Sequence, residues 1–212
     1  MIELRNVYIK YIPDFYTLYD ISLIIKENTL FIGDIYSGAN SLIRILSKID
    51  TDYKGIVTID DIILRDIKDK NLDLAYVSAE PYLFKSKSIF DNLYYPLKIR
   101  KVNSIEAKEK VEKLLIEFNI QKFPKKIKDM NISEQKILTL LRALARSPKY
   151  ILLENFFENL DEKYLDLSQS IIDRMKESSI IIACENTDLK IPCYQDFTRV
   201  YLDAGSIVQS RP

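Results

Sequence analysis

Residues 31–46, FIGDIYSGANSLIRIL, are hydrophobic, then turn-like, then hydrophobic again at helical spacing. That order predicts a short strand, a tight loop and a helix over 41–49, with Leu42, Ile45, Leu46 and Ile49 on one face. The loop is the informative part. The chain has four glycines, and Gly33 and Gly38 both fall here; Gly55 and Gly205 mark turns before IVTID and inside YLDAGSIV. Glycine belongs where the backbone needs a positive φ or a close approach. A strand, such a loop and a helix N-terminus form a cradle for phosphate, in which a lysine neutralises the charge. At the lysine position stands Ala39.

The alternation of strand and helix continues. IELRNVYIKY and YDISLII read as strands joined by a turn at IPDFYT, followed by NTLFIG, by GIVTID after a glycine turn, and by LDLAYVS as a buried strand. From 85 to 121 the pattern turns helical. SIEAKEKVEKLLIEF has Ser104 as its expected N-cap and Val111, Leu114, Leu115 and Phe118 on its apolar face. KFPKKIKDM is a basic linker and 133–146 an apolar helix; YILLEN is a strand, 162–177 a helix, SIIIACE a strand, and RVYLDA with SIVQS a closing hairpin. Strands alternating with helices, interrupted once by a helical stretch, predict an α/β three-layer core bearing a helical subdomain. The core is expected over 1–84 and 145–212 and the helical subdomain over 85–144, in a single domain.

Composition narrows the function classes. Lysine plus arginine equal aspartate plus glutamate at 31 each, which argues against a bulk nucleic-acid binder. The chain has no histidine, which removes histidine-based catalysis and most transition-metal chemistry, and no metal site is expected. Cys184 and Cys193 are too few for a disulfide framework and are expected to be buried small hydrophobes. No apolar run is long enough to span a membrane and no secretion signal is visible.

The order of these pieces resembles the ATPase subunits of ABC transporters nearly end to end. IELRNVYIKY resembles the family's first strand, GDIYSGANSLIRIL its phosphate loop and helix, and YVSAEPYLF its Gln-loop segment. MNISEQKILTLLRALARSPKYILLENFFENLD spans the signature motif, its helix, the Walker B strand and the D-loop; SIIIACENTD matches the switch strand. The segment FDNLYYPLKIRK is most similar to the ABC ATPases of lipoprotein release, cell division, methionine import and phospholipid trafficking. The resemblance implies an α/β P-loop NTPase core with an antiparallel β subdomain and a helical insertion.

Carried over residue by residue, the resemblance implies a depleted nucleotide site. Tyr11 takes the place of the adenine-stacking aromatic. In the loop Gly33 and Gly38 are kept, Tyr36 replaces a glycine, Ala39 the lysine, and Asn40, followed by Ser41, the magnesium-ligand hydroxyl. The loop reads either as a weakened anion site or, as expected here, as a strand–helix turn retained for folding. Ala79 replaces the γ-phosphate-sensing glutamine. The signature becomes Met130, Asn131, Ile132, Ser133 and Glu134, in which N-x-x-E is also a capping-box start to an apolar helix. Glu154 stands for the Walker B aspartate, Asn155 for its glutamate, Glu185 for the switch histidine, and the D-loop Asp161 is kept. Asparagine accepts no proton, so the general base is missing.

The expectation from these losses is a protein that is not an enzyme: a pseudo-ATPase with weak or absent ATP and magnesium binding. It would serve as a structural or regulatory subunit on the cytoplasmic face of an inner membrane. Its expected partners are a membrane permease subunit and, as homodimer or heterodimer, a second ABC ATPase; nucleic acid is not expected. The alternatives are one half of an asymmetric heterodimeric ATPase, or a soluble scaffold. The resemblance places a permease-docking surface at Tyr82, Leu83, Phe84, Ile89 and Phe90, continuing to Leu93 and Tyr94, with Tyr82 and Phe84 the residues expected to be exposed.

Overall fold

The first strand, β1 (Ile2–Ile9), buries Ile2, Leu4, Val7 and Ile9, so its alternation slips by one residue between Leu4 and Val7. The computed structural model, which describes residues 1–188 and 190–208, shows why. Asn6 has φ 47° and the pairing with β2 (Leu18–Ile25) shifts register there, a bulge that returns the apolar side chains to one face. The bulge is fixed by side chains: the Asn6 N–H donates to Ser22 Oγ at 2.9 Å and its Nδ2 to Asp20 Oδ1 at 2.8 Å.

One compact unit comprises residues 1–76, 149–155 and 180–212. It holds two sheets. The antiparallel sheet has the order β2-β1-β4-β5, with β4 (Lys54–Ile59) and β5 (Ile62–Ile63). The larger sheet has the order β10-β9-β3-β8-β7-β6, formed by β3 (Thr29–Ile32), β6 (Leu74–Val77), β7 (Tyr150–Glu154), β8 (Ile180–Glu185), β9 (Thr198–Asp203) and β10 (Ser206–Val208). β3 pairs in parallel with both β8 and β9, and β7 with β8, while the hairpin β9–β10 is antiparallel. The helix α1 (Ala39–Leu46) packs on β7 and β8. Covered parallel strands read as continuous apolar runs: all four residues of β3 and the first four of β7 are buried.

The second unit, residues 77–148 and 156–179, is built of α2 (Ile89–Ile99), α3 (Ser104–Glu117), α4 (Ile132–Arg146) and α5 (Leu165–Lys176). α4 packs against α2, α3 and α5. Its buried Ile137, Leu138, Leu140, Leu141, Leu144 and Ala145 surround most of the helix, which makes it the core of this unit.

Three local expectations are corrected. α1 starts and ends earlier than 41–49, so Ile49 lies beyond the helix and is 46% exposed, because the chain turns off to pair Arg44 with Asp50. The N-cap of α3 is Asn103, not Ser104; its carboxamide accepts from Ile105 N–H at 2.9 Å, leaving Ser104 inside the first turn. The two-residue strand β5 was not foreseen, being too short to carry a period. Cys184 and Cys193 are buried and unbridged, as expected. In the closing hairpin, Gln209 and Ser210 lie outside the described residues.

Asp60, at the turn after β4, accepts from the amino terminus at 2.7 Å and from the Tyr150 hydroxyl at 2.7 Å, and pairs with Lys149 Nζ at 2.7 Å. Partial burial pushes its carboxyl up, but hydrogen bonds from Lys149, the amino terminus and Tyr150 outweigh that and hold it at about 2. A depressed carboxylate stabilises the fold above its unfolded value of about 3.9, and the contribution is lost as pH falls through the folded one. Solvent reaches this site, so screening keeps the contribution to about 1 kcal/mol. Asp60→Asn is therefore expected to be about 1 kcal/mol less stable than wild type at neutral pH, the gap closing towards pH about 2. Denaturant melts across that range check it; a gap that does not change with pH contradicts it.

Candidate functional site

In the sheet unit, the ends of β3, β7 and β8 converge on the start of α1. Gly38 supplies the turn into α1 at φ 92°. The loop before it closes on its own side chains. Asp34 Oδ1 accepts from Tyr36 N–H at 3.1 Å, Ser37 N–H donates to Asp34 O at 3.0 Å, and buried Ser37 accepts from Ala39 N–H at 3.3 Å. Donors of the kind that face phosphate in an anion cradle are thus used within the loop. Ile35 and Tyr36 stand 69% and 80% exposed.

Around this loop the candidate residues meet. The β7/β8 ladder extends past Glu154, with Asn155 N–H donating to Cys184 O at 2.9 Å. Asn155 then turns at φ 42°, and its Nδ2 donates to Asn40 Oδ1 at 3.3 Å, where the Cys184 thiol also donates at 3.2 Å. Asn155 Oδ1 is buried without a hydrogen-bond partner. Glu154 accepts from the Tyr76 hydroxyl, whose pKa is raised by burial and by that carboxylate. Glu185 is 2% exposed and accepts from Tyr194 at 3.2 Å; burial, then Glu185, pushes the Tyr194 phenol far up. The backbone of Gly33 also donates to Glu185 O at 3.3 Å.

Tyr11 keeps an exposed ring, but its hydroxyl donates to Asp50, itself paired with Arg44 at 2.8 Å, and lies 3.2 Å from Ser41 Oγ. The ring is therefore anchored by its own hydroxyl to α1 and the residue beyond it. Sequence reasoning missed Asp34, Ser37, Tyr76 and Tyr194. Only Asp34 carried a signal, since an aspartate two residues before an N–H in a turn is a common local acceptor.

In the helical unit the signature segment is a helix start. Asn131 accepts from Glu134 N–H at 2.8 Å and Glu134 Oε2 from Asn131 N–H at 2.9 Å, a full capping box. Glu134 Oε1 also accepts from Tyr164 at 2.8 Å. Met130 and Ser133 are buried, and Ser133 Oγ accepts from the backbone N–H of Asp161 at 2.9 Å. Ile132 is half exposed. Buried Lys136 donates to the carbonyl of Phe156 at 3.0 Å and to that of Glu158 at 2.5 Å, tying α4 to the segment after β7.

A cleft of about 670 Å³ opens on the same unit, with Ala79, Tyr82, Leu83 and Lys85 on one side and Ile132 and Gln135 on the other. Tyr82 and Phe84 are 69% and 50% exposed, as expected, whereas Leu93 is fully buried. The remaining docking candidates, Ile89 and Phe90, are partly exposed. Phe90 stacks on Tyr94 with ring centroids 5.7 Å apart. Ile89 lines a different, smaller groove with Leu115, Ile116 and Ile120, because the first turn of α2 faces α3.

A protein-family model described as ABC transporter matches residues 18–157, a span that contains the loop, most of the cleft lining, the capping-box helix and the β7 end. The chain belongs to the ABC transporter family. The tungstate uptake system ATP-binding protein TupC of Peptoclostridium acidaminophilum is 29% identical over 164 residues, covering 76% of this chain and 75% of that protein. The sulfate/thiosulfate import ATP-binding protein CysA of Bacillus cereus is 34% identical over 156 residues, covering 70% of this chain and 44% of that protein. The sn-glycerol-3-phosphate import ATP-binding protein UgpC of Bordetella avium is 27% identical, covering 76% and 46%. The chain thus spans about half the length of several curated relatives. The dimeric bacterial ABC transporter cassette MJ0796 superposes with a TM-score of 0.81 at 21% identity, covering 98% of this chain and 96% of that one, a likeness of fold.

These matches correct the expectation that the chain is not an enzyme. The relatives are named as ATP-binding proteins of import and uptake systems, and the family match runs through the altered loop and the β7 end. Among the described residues no helix is long and apolar enough to cross a membrane.

Proposed function

We propose that the chain is the ATP-binding-cassette subunit of a membrane import complex, seated from the cytoplasmic face on a permease subunit through the cleft beside Tyr82. The observation that carries this is the pair of exposed aromatics, Tyr82 and Phe84, on a segment held in place by a buried amide. Asn92 is fully buried; its Oδ1 accepts from Phe84 N–H at 2.8 Å and its Nδ2 donates to Phe84 O and Ser88 O. Exposed aromatics on a rigid backbone are the usual anchors of an interface, since little entropy is lost on contact. The names of the relatives support the import assignment. A second cassette subunit, identical or related, completes the assembly.

The experiment is purification of the tagged chain from detergent-solubilised membranes of its own organism. A membrane subunit is expected to co-purify, and ATP turnover of that complex is expected to fall when the chain is left out. A chain recovered alone from the soluble fraction overturns the proposal.

The residues present fit a magnesium triphosphate poorly, and binding of MgATP by the isolated chain is proposed to be weak. Ala39 offers no charge, Asp34 and Ser37 hold loop donors, and Asn40 is engaged by Asn155 and Cys184. Asp34→Ala would release the Tyr36 N–H and remove a negative charge from the loop. It is expected to tighten MgATP binding several-fold, about 1 kcal/mol of the roughly 1.5–3 kcal/mol that a charge-assisted hydrogen bond contributes. Calorimetry checks it: micromolar binding by wild type, or weaker binding by Asp34→Ala, contradicts it.

A further inference from the structure

The hairpin of α2 and α3 carries a knob at one end and a groove at the other. The groove, about 300 Å³, is lined by Ile89, Leu115, Ile116 and Ile120, with Glu112 on its rim. Ile116 is 65% exposed there. Glu109 and Glu112, exposed and one helical turn apart on α3, make no ion pair among the described residues. At the opposite end of α2, about 16 Å away by helix rise, Ile99 is 70% exposed between Lys98 and Lys101. Neither lysine makes an ion pair among the described residues. An aliphatic knob flanked by unpaired ammonium groups thus matches in sign an aliphatic groove with Glu112 on its rim and Glu109 one turn away.

We propose that this face of the helical unit binds a second copy of the chain, Ile99 of each copy entering the other's groove while Lys98 and Lys101 meet Glu109 and Glu112. Knob and groove lie at opposite ends of one hairpin, so a two-fold axis satisfies both contacts at once and the assembly closes as a dimer. The contact is separate from the phosphate loop and from the cleft beside Tyr82, and it needs no nucleotide. It is small, so its strength leans on charge and falls with salt.

Sedimentation velocity of the full chain without nucleotide tests it. A monomer–dimer equilibrium is expected, with association weakened at least about 10-fold by raising salt from about 0.05 to about 0.5 M. Ile99→Asp and Ile116→Asp, both at exposed positions, are each expected to give monomer with an unchanged far-UV spectrum and melting curve. Lys98→Glu and Glu112→Lys are each expected to weaken the dimer about 10-fold, and mixing the two variants to recover most of the loss, because in the mixed dimer one contact carries both reversals and the other carries neither, so both are again oppositely charged. A monomer at every concentration overturns the proposal, as does a dimer indifferent to Ile99 and Ile116. So does a monomeric chain that instead binds a lysine- and leucine-rich helical peptide through Ile116, since the occupant is then another protein.

Discussion

Gly38→Val is expected to destabilise the sheet unit by about 2–5 kcal/mol, although it lies in a loop that has lost its lysine. Gly38 has φ 92°, and a Cβ there would meet the Thr17 carbonyl oxygen at 2.5 Å and Leu18 Cδ2 at 2.6 Å. The first neighbour is backbone and cannot rotate away. Strain in the left-handed region and overpacking against β2 therefore add, and the turn into α1 is forced open. Neighbouring Tyr36 makes the contrast: its side chain is 80% exposed, and Tyr36→Ala is expected to change stability by no more than about 0.5 kcal/mol. Urea melts of both variants check the pair. A tolerated Gly38→Val would mean that the loop is not held for folding.

That contrast shows which parts of the site a sequence carries. Gly33 and Gly38 were legible because positive φ and close approach leave few residue choices. A Cβ on Gly33 would lie 2.3 Å from Ser37 Oγ and 2.6 Å from the Leu202 carbonyl oxygen. The capping box at Asn131 and Glu134 was legible because capping is local, confined to four consecutive residues. The parallel strands were legible as apolar runs. What stayed hidden depends on partners far away in the chain. Tyr76 reaches Glu154 from the neighbouring strand, 78 residues away in sequence, which alternation does not encode. Asn40, Asn155 and Cys184 meet only because β7 and β8 end side by side at the start of α1. Phe90 and Ile89 were grouped with Tyr82 by resemblance to the family, and Ile89 lines a groove with Leu115, Ile116 and Ile120 of and after α3. The activity class was misjudged for another reason: absent side chains were weighed one by one, whereas membership is carried by the whole span 18–157.

Tyr82→Ala and Phe84→Ala are each expected to weaken binding to the membrane subunit by about 1–3 kcal/mol. Both rings stand in solvent, so the fold loses little when either is removed. Phe84 keeps its place through the Asn92 amide and packs on Tyr95 with centroids 5.6 Å apart, which leaves its outer face free for a partner. Burying such a ring in an interface removes it from water at about 25 cal/mol per Å², enough to account for the effect without any polar contact. Leu83, which lines the cleft but is only partly exposed, is expected to contribute less.

The most direct test of the seat on the membrane subunit is the affinity of the purified chain for that subunit in lipid nanodiscs, measured for wild type, Tyr82→Ala, Phe84→Ala and Ala39→Lys. Each aromatic variant is expected to bind about 5- to 150-fold more weakly, with Ala39→Lys indistinguishable from wild type. Wild-type affinity in both aromatic variants, together with release by Ala39→Lys, would contradict it.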